Sequence, residues 1–290
     1  GGEGPEVLVR VRHPVRLGEA MRRRGFCVRA VRPGRDTADP GAVRDWMNKP
    51  LRSGGGRCVR RWNGRPRRDA YLQQHIDGVP ASVVFVAAGR QAVTLGLSRQ
   101  LIGEEAFGAD GYRYCGSILG ADAIADCGSA TVEQMGALAA AVSEEFELKG
   151  VNGIDVMIAG GVPYAIEVNP RWSSSMELVE RNSGVSVFAA HAAACSRGVL
   201  PSRDVVDTIR SRRSAGKAIV FARHAALAGE TTQWLADSSI RGVPRPRERI
   251  AAGQPVCTVL ADADTAAECH TLLVRKAEQI YAYLDAWRCD

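Results

Sequence analysis

The most constraining feature of this 290-residue sequence is a pair of short apolar stretches joined by two glycines. Residues Gly153–Ala159 and Pro163–Asn169 have the length and the β-branched residues of strands. The dipeptide Gly160-Gly161 between them is typical of a tight turn, because glycine accepts the positive φ angles that two-residue hairpins require. The sequence therefore predicts an antiparallel hairpin in this part of the chain.

A carboxylate, an amide and a guanidinium follow one another on a single face of the second strand. Side chains alternate between the faces of a strand, so Glu167, Asn169 and, if the chain stays extended, Arg171 share one face. Oxygen ligands of this kind hold a divalent cation, and a guanidinium binds phosphate or carboxylate. Asp155 on the first strand would supply a second carboxylate. An ordinary exposed face with an ion pair is the alternative interpretation.

The two carboxylates can meet only if the hairpin has a particular register. Asp155 must lie opposite Glu167 or an even number of residues away. A plain two-residue turn at Gly160-Gly161 would place Asp155 opposite Ile166, whose side chain points to the wrong face. The site therefore requires either a connection of odd length or a bulge that shifts the register by one residue.

A second motif joins a lysine to a run of glycines. Lys49 lies in a strand-like stretch and is followed by Ser53-Gly54-Gly55-Gly56-Arg57, after which a second strand begins. Backbone N–H groups of Ser53–Gly56 would close over phosphates, with Lys49 as a point charge. The motif is not a Walker loop, because no GK[ST] follows and the next element is a strand. A flexible surface hairpin is the alternative.

Composition excludes several classes of protein. With 46% hydrophobic and 24% charged residues the chain is globular, and its length fits about two domains. No apolar run approaches the roughly 18 residues of a membrane span, and the start at Gly1 shows no secretory leader. These observations predict a soluble, cytoplasmic protein, and the missing Met suggests that the chain begins downstream of a natural start.

The cysteines, the histidines and the distribution of charge argue against further classes of protein. Eight cysteines occur without a CxxC pair and five histidines without metal-ligand spacing, which argues against a disulfide scaffold and a zinc site. The net charge is +6, but the basic residues are dispersed and few aromatic residues lie among them. Basic runs such as Arg22–Arg24 therefore favour a solvated face over a nucleic-acid surface. A net positive charge is also consistent with an enzyme that binds polyphosphate.

Helix starts are predicted from two capping-box patterns. These are Thr131-x-x-Gln134 and Ser174-x-x-Glu177. Apolar residues at helical spacing extend the first of these helices to about Lys149. A closing helix is predicted over Ala263–Trp287.

Taken in order, the motifs resemble the ATP-grasp superfamily over roughly residues 5–195. The resemblance implies an α+β fold in which two lobes clamp ATP, and a reaction that joins a carboxylate to an amine through an acylphosphate. The tail Val243–Val259 resembles the small β-rich C-terminal module of a subgroup that includes relatives of the tyramine–glutamate ligase. The matching motifs are Lys49 with Ser53–Arg57, Tyr71–Gly78, Asp155 and Glu167–Arg171.

The resemblance also implies roles for individual residues. The implied catalytic residues are Lys49, on the α/β-phosphates, and Arg171, on the γ-phosphate or acylphosphate. The hinge at Gln73–Ile76 would read the adenine edge. The implied nucleotide-binding residues are Arg12, Lys49, Ser53, Gly54, Gly55, Gly56, Gln73, Gln74, His75, Ile76 and Asp77. The implied ligands of Mg²⁺, with Mn²⁺ as the alternative ion, are Asp155, Glu167 and Asn169.

Two departures from the family pattern shape the predicted domain organisation. Val79–Ala81 stand where the family usually has an acidic ribose ligand, so Asp77 would take that role. Only about 45 residues precede the lysine motif, which predicts that residues 1–45 are a remnant of the preceding domain. Residues 46–200 would then form the ATP-grasp domain, with lobes at 46–88 and 89–200, and residues 201–290 a small α/β module.

The predicted function is an ATP- and Mg²⁺-dependent carboxylate–amine ligase. No side chain has to act as a nucleophile in this chemistry, so none of the cysteines is required. A phosphotransferase on the same fold and a catalytically impaired nucleotide- or RNA-binding protein stay open as alternatives. The expected partners are a small-molecule carboxylate and a small-molecule amine. No membrane partner is expected, and nucleic acid is disfavoured as a partner. Assembly into a homo-oligomer is left open.

Overall fold

The computed structural model describes residues 2–35, 45–52, 54–120, 122–202, 204–206 and 213–287. Helices and antiparallel sheets are mixed along the chain, which gives an α+β fold as expected. The helices are α1 (Pro5–Val11), α2 (Pro14–Arg23), α3 (Ser129–Phe146), α4 (Ser174–Ser183), α5 (Val187–Arg197) and α6 (Ala266–Ala286).

A small four-stranded sheet forms one side of the molecule. Trp46, Trp62 and Leu72 form its buried cluster. The strands pair antiparallel in the order β1-β4-β2-β3. They are β1 (Val31–Pro33), β2 (Trp46–Pro50), β3 (Arg60–Arg61) and β4 (Ala70–Gln74).

An eight-stranded antiparallel sheet forms the centre of the fold. The remaining strands are β5 (Val79–Ala88), β6 (Gln91–Ile102), β7 (Tyr114–Leu119), β8 (Lys149–Ala159), β9 (Val162–Asn169), β10 (Ser214–Phe221), β11 (Ala226–Leu227), β12 (Ile240–Arg241), β13 (Arg249–Ile250) and β14 (Pro255–Ala263). The order in the large sheet is β12-β14-β10-β7-β6-β5-β8-β9, and β11 pairs with β13 alone.

Helices cover both faces of the large sheet because its central strands are apolar on both sides. Along β5, Val83 and Phe85 pack in the cluster that contains α3, whereas Val84 and Val86 pack in the cluster that contains α4 and α5. Helix α6 packs against β10 and β14 through residues that include Leu273. A strand buried on both faces reads as a continuous apolar run, which is what residues 83–88 show.

The sheets do not follow the predicted domain boundaries. Strand β5 belongs to the large sheet, where it pairs with β6 and β8, so residue 88 does not separate the two lobes. Strand β1 belongs to the small sheet although it precedes residue 46. Strands β10, β12 and β14 extend the large sheet, so three of the strands after residue 200 belong to the central sheet rather than to a separate module.

Both predicted capping boxes are wrong by a few residues. Helix α3 begins at Ser129, and the Thr131 hydroxyl donates to the carbonyls of Cys127 and Gly161 from inside the helix. Helix α4 has Ser173 as its N-cap, one residue earlier than predicted. Glu177 is thereby free to pair with another element. The closing helix α6 is confirmed.

In the part of the chain that the structure describes, the seven cysteines are free. No helix in the same residues combines the length and the apolar character that crossing a membrane would require.

Candidate active site

A cleft of about 690 Å³ lies between the two sheets. The small sheet contributes Lys49 and Tyr71, and the glycine loop (residues 54–57) lies at its edge. The large sheet contributes polar residues of β6, β8 and β9, and α4 adds its first turn. Arg12, between α1 and α2, also lines the cleft. The sequence motifs at residues 12, 49, 54–56 and 155–171 therefore converge on one cavity.

The β8–β9 hairpin reaches the required register by means of a bulge. The turn has two residues, Gly160 and Gly161, both with positive φ, and it pairs Ala159 with Val162. The register shifts farther along, because Ile166 is an extra residue that has no partner on β8. Asp155 consequently lies directly opposite Glu167. The prediction of a one-residue shift is confirmed, and the bulge is the route by which it occurs.

Hydrogen bonds join the polar residues of the hairpin into one group. The side-chain nitrogen of Asn169 lies 2.9 Å from Asp155 Oδ2 and 3.4 Å from Glu167 Oε1. Gln100 on β6 donates to Asp155 Oδ1 at 2.8 Å. Arg171 donates to Asn169 Oδ1 at 3.0 Å. Residues 155, 167, 169 and 171 thus form a single contact network at the floor of the cleft.

The two carboxylates make this network electrostatically unfavourable when it is fully ionised. Burial, and next the negative charge of Glu167, raise the pKa of Asp155 to about 8. A divalent cation between the carboxylates would relieve that repulsion and hold both of them ionised. The donor set therefore fits a hard cation such as Mg²⁺. This donor set consists of two carboxylates and the amide of Asn169. Within the described ranges, no group of three or more His, Cys, Asp or Glu residues is placed to hold a metal ion.

Lys49 faces these carboxylates from the small sheet. Its amino group donates to Gln73 Oε1 at 2.9 Å and lies 5.9 Å from the centre of the Tyr71 ring. Burial lowers the pKa of Lys49, and the charges of Glu167 and Asp155 act in the opposite direction. The amino group of Lys49 thus lies within electrostatic range of the acidic floor of the cleft.

The glycine loop rests on the large sheet rather than in solvent. The carbonyl of Gly55 accepts the backbone N–H of Tyr114 at 3.0 Å. Gly56 has φ +71°, and a Cβ atom added there would lie 1.7 Å from the carbonyl oxygen of Tyr112. Only glycine allows this approach of two backbones. Ser53, which was assigned to the same loop, lies outside the described residues.

The predicted hinge does not line the cleft with its side chains. Gln73 and Gln74 are the last residues of β4, and His75 and Ile76 follow directly. The backbone N–H of Gln74 donates to the carbonyl of Ala30, while the Gln73 side chain binds Lys49. The adenine-reading role of residues 73–76 stays a prediction.

Asp77 lies apart from the other site residues. Its side chain is 95% exposed and is 3.6 Å from His75 Nδ1. It is not among the residues that line the cleft. The ribose role assigned to it therefore gains no support from the geometry.

Several lining residues were missed in the sequence. Gln100 could have been found, because Ser98 and Gln100 place two polar groups at a spacing of two in a largely apolar strand. Tyr114 and the serines Ser173, Ser174 and Ser175 line the cleft as well. No local pattern identifies Tyr114, since its position depends on contacts between distant parts of the chain.

Comparisons with known proteins agree with this geometry. The ATP-grasp domain model matches residues 33–175, which include Lys49, the glycine loop and the β8–β9 hairpin. The chain thus carries an ATP-grasp domain, and it has the ATP-grasp fold.

Solved structures match over most of the chain. A carboxyaminoimidazole ribonucleotide synthase of Aspergillus clavatus complexed with ATP is 15% identical, with a TM-score of 0.71 over 98% of this chain and 75% of that one. An L-amino acid ligase of Bacillus licheniformis is 14% identical, with a TM-score of 0.70 over 94% and 72%. A putative ATP-grasp superfamily protein of Archaeoglobus fulgidus is 18% identical, with a TM-score of 0.56 over 91% and 67%. At these identities the likeness shows the fold.

One curated relative matches a smaller part of the chain. It is an uncharacterized protein of Methanocaldococcus jannaschii, 29% identical over 120 residues. The match covers 41% of this chain and 28% of that protein. The chain therefore aligns with little more than a quarter of the relative's length.

Proposed function

We propose that this protein is an ATP- and Mg²⁺-dependent ligase that joins a carboxylate to an amine through an acylphosphate. The observation that carries the proposal is the bulged hairpin, which sets Asp155 opposite Glu167 on the side of the cleft that Lys49 faces. Two adjacent carboxylates, one of them partly buried, are costly side by side in the absence of a ligand, and Mg²⁺ with a polyphosphate would offset that cost. The structural likeness to a ligase and to a synthase that was solved with ATP supports the same reaction class.

In the proposed reaction the substrate carboxylate attacks the γ-phosphorus of ATP, and ADP leaves. The amine then attacks the acyl carbon, and inorganic phosphate leaves as the amide forms. Lys49 and Arg171 would neutralise the charge that develops on the phosphoryl oxygens. The backbone N–H groups of the glycine loop would cover the phosphates and exclude water. The protein itself forms no covalent bond in either step.

Asp155, Glu167 and Asn169 would hold the metal ion. When bound, Mg²⁺ would supply positive charge against the phosphate oxygens. Asn169 now turns its amide nitrogen to the two carboxylates and its oxygen to Arg171. Ligation through the amide oxygen would require the amide to rotate about its last torsion, which would release Arg171 toward the phosphate.

A screen of phosphate release tests the proposal. The full chain would be incubated with ATP and Mg²⁺ and with pairs of carboxylic acids and amines, and the products identified by mass spectrometry. A ligase yields ADP, inorganic phosphate and an amide for at least one pair. A phosphorylated acceptor without free phosphate would indicate the phosphotransferase, and nucleotide binding without any turnover would indicate the impaired binding protein. Competition by RNA for ATP binding would support that last alternative further.

A further inference from the structure

The net positive charge of the protein is concentrated in the small sheet and its connections. The whole chain carries a net charge of +6. Residues 45–69 contain two acidic residues, Asp45 and Asp69. The same segment contains eight basic residues, which are Lys49, Arg52, Arg57, Arg60, Arg61, Arg65, Arg67 and Arg68. This segment therefore accounts for the whole net charge, and acidic and basic residues balance in the rest of the sequence.

The sheet topology brings four of these arginines to one end of the small sheet. Strand β2 runs antiparallel to both β3 and β4, so the end of β2 lies beside the first residues of β3 and β4. The backbone N–H of Leu51 donates to the carbonyl of Asp69 at 2.9 Å and joins the connections there. We call the four exposed residues the arginine end; they are Arg52 and Arg57 after β2, Arg60 at the start of β3, and Arg68 before β4.

The arginine end lacks the carboxylate partners that other arginines have. The exposed Arg90, for comparison, pairs with Glu144 at 2.7 Å. Asp69 is the nearest carboxylate in the sequence, and it pairs with Arg67 at 2.9 Å. Within the described residues, no carboxylate forms an ion pair with a member of the arginine end. Like charges held together in this way repel one another, so this end of the sheet favours an anionic ligand.

The arginine end borders the cleft and extends beyond it. Arg52 lines the cleft beside Gly54–Gly56, whereas Arg60 and Arg68 are not among the lining residues. Strands β3 and β4 lie on either side of β2, which separates them by about 10 Å. A single carboxylate does not span that distance. A ligand that contacts the whole arginine end and also enters the cleft must therefore be extended and carry several negative charges.

Two observations favour an acidic peptide over a nucleic acid as this ligand. The described part of the small sheet offers no exposed aromatic side chain for bases to stack on, because Trp46 and Trp62 are 7% and 5% exposed and Tyr71 is 9% exposed. The proposed reaction also consumes a carboxylate, a group that an acidic peptide has and a nucleic acid lacks. Guanidinium groups bind carboxylates through two parallel hydrogen bonds, so arginine suits such a peptide.

We propose that the carboxylate substrate of this protein is an acidic peptide, one carboxylate of which enters the cleft while others bind the arginine end. The proposal rests on the proposed ligase function, because that function supplies the reason for a carboxylate to enter the cleft. The bonds formed and broken are those of the proposed reaction: the entering carboxylate becomes the acylphosphate and then the amide. The substrate is thus larger and more negative than the small-molecule carboxylate expected from the sequence.

Trapping with hydroxylamine tests the proposal on the full chain with ATP and Mg²⁺, because this nucleophile converts an acylphosphate into a hydroxamate whatever the natural amine is. The probes are N-acetyl-tetraglutamate, N-acetylglutamate, and N-acetyl-tetraglutamine with a free terminal carboxylate. We expect kcat/KM for tetraglutamate to exceed the other two values by about tenfold. This advantage should shrink when NaCl is raised from about 50 to 500 mM, since salt screens exposed charges.

A double variant shows whether the arginine end is responsible. Arg60→Gln combined with Arg68→Gln should raise KM for tetraglutamate by about fivefold or more. The Kd for AMP-PNP should not change, because neither residue lines the cleft. Arg197→Gln combined with Arg275→Gln is the matched control, since it removes two exposed arginines from α5 and α6. The comparison of probes in the unsubstituted protein decides the question if the double variant folds poorly.

The outcomes separate the peptide from the ligase chemistry. Equal kcat/KM for the three probes, or turnover with other carboxylic acids and none with tetraglutamate, would overturn the peptide and leave the ligase standing. The same holds if KM for tetraglutamate is equal in the double variant and the control. Stronger inhibition by an RNA oligonucleotide than by tetraglutamate, lost in the double variant, would assign the arginine end to nucleic acid. If no carboxylate yields ADP or a hydroxamate, the ligase function fails and the peptide substrate fails with it.

Discussion

The pKa of Lys49 depends on the carboxylates at the floor of the cleft. Burial disfavours its ammonium form, and the negative charges of Asp155 and Glu167 favour it. Bound phosphate would add further negative charge on the same side. The residue is thus arranged to respond to an anionic ligand, and its single hydrogen-bond partner among the contacts described, Gln73, leaves its other protons for that ligand.

Replacement of this lysine should weaken nucleotide binding without unfolding the protein. Lys49→Ala is expected to raise the Kd for AMP-PNP with Mg²⁺ at least about tenfold, which corresponds to about 1.4 kcal/mol. Isothermal titration calorimetry measures the change. Lys276→Ala on α6 is the matched control, because that lysine binds Ser239 outside the cleft. An unchanged Kd in a folded Lys49→Ala protein would remove this residue from the phosphate site.

Glu167 offers a separate test of the metal site. Its side chain is exposed on the cleft floor, so Glu167→Gln should change the melting temperature little. The substitution keeps the shape and removes one negative charge. Turnover should therefore fall by about a hundredfold or more, as measured by phosphate release at a fixed Mg²⁺ concentration. A large loss of stability with turnover retained would instead favour a structural role for the carboxylate.

The glycine loop allows its individual positions to be compared. Gly56 has a positive φ and meets the Tyr112 carbonyl, whereas a Cβ atom at Gly54 would meet no atom within 4 Å. Gly56→Ala should therefore prevent the loop from closing and lower turnover by about tenfold or more, whereas Gly54→Ala should have little effect. Steady-state phosphate release with both variants is the measurement. Equal losses of turnover in the two variants would mean that turnover depends on the flexibility of the whole loop rather than on its contact with the large sheet.

Helix α6 carries a contact whose strength depends on pH. His270 Nε2 lies 2.7 Å from Glu104 Oε2, and this hydrogen bond raises the pKa of His270. A group with a raised folded-state pKa stabilises the fold fully below its unfolded pKa, about 6.5 for histidine, and the contribution is lost as pH rises through the folded value. The melting temperature of His270→Gln should therefore fall furthest below that of the unsubstituted protein under pH 6. Glu104→Gln should show the same trend, and a difference that is constant with pH would argue against the pair.

Local patterns in the sequence predicted the β8–β9 hairpin and the closing helix α6, but not where the bulges lie. The period of two identified Glu167, Asn169 and Arg171 as one face, and it required a register shift for Asp155 to join them. The shift occurs at Ile166, a residue that no turn or breaker signal marks. A bulge is selected by how the strands pack on their neighbours, and that information is spread over the whole sheet. The same holds for the bulge in β7, where Gly116 pairs with Leu101 and Tyr114 with Ile102.

Long-range pairing also limited what could be predicted at the scale of the whole molecule. Nothing in the residues of strand β10 shows that it pairs with β7, about one hundred positions earlier. That pairing joins the C-terminal third of the chain to the central sheet. It also brings Lys217 to Glu177 on α4, next to the cleft. The C-terminal residues are therefore connected to the candidate site.

A truncation would test whether the C-terminal third is structurally separate. If residues 201–290 were an independent module, residues 1–200 would fold alone and bind nucleotide. The sheet order predicts otherwise, because β10, β12 and β14 continue the large sheet beyond β7. Their removal would expose the backbone edge of β7 and the apolar surface that packs against residues such as Val220 and Leu273.

The full chain should unfold in one cooperative transition in differential scanning calorimetry, while a chain that ends at residue 200 should aggregate or lack a transition. Covering an apolar surface of this kind contributes roughly 25 cal/mol per Å², so losing several strands and a helix would exceed the 5–15 kcal/mol by which such domains are stable. A soluble fragment with a cooperative transition and unchanged affinity for AMP-PNP would contradict this expectation. It would show that the central sheet is complete at β7 and that Lys217 is dispensable for the nucleotide site.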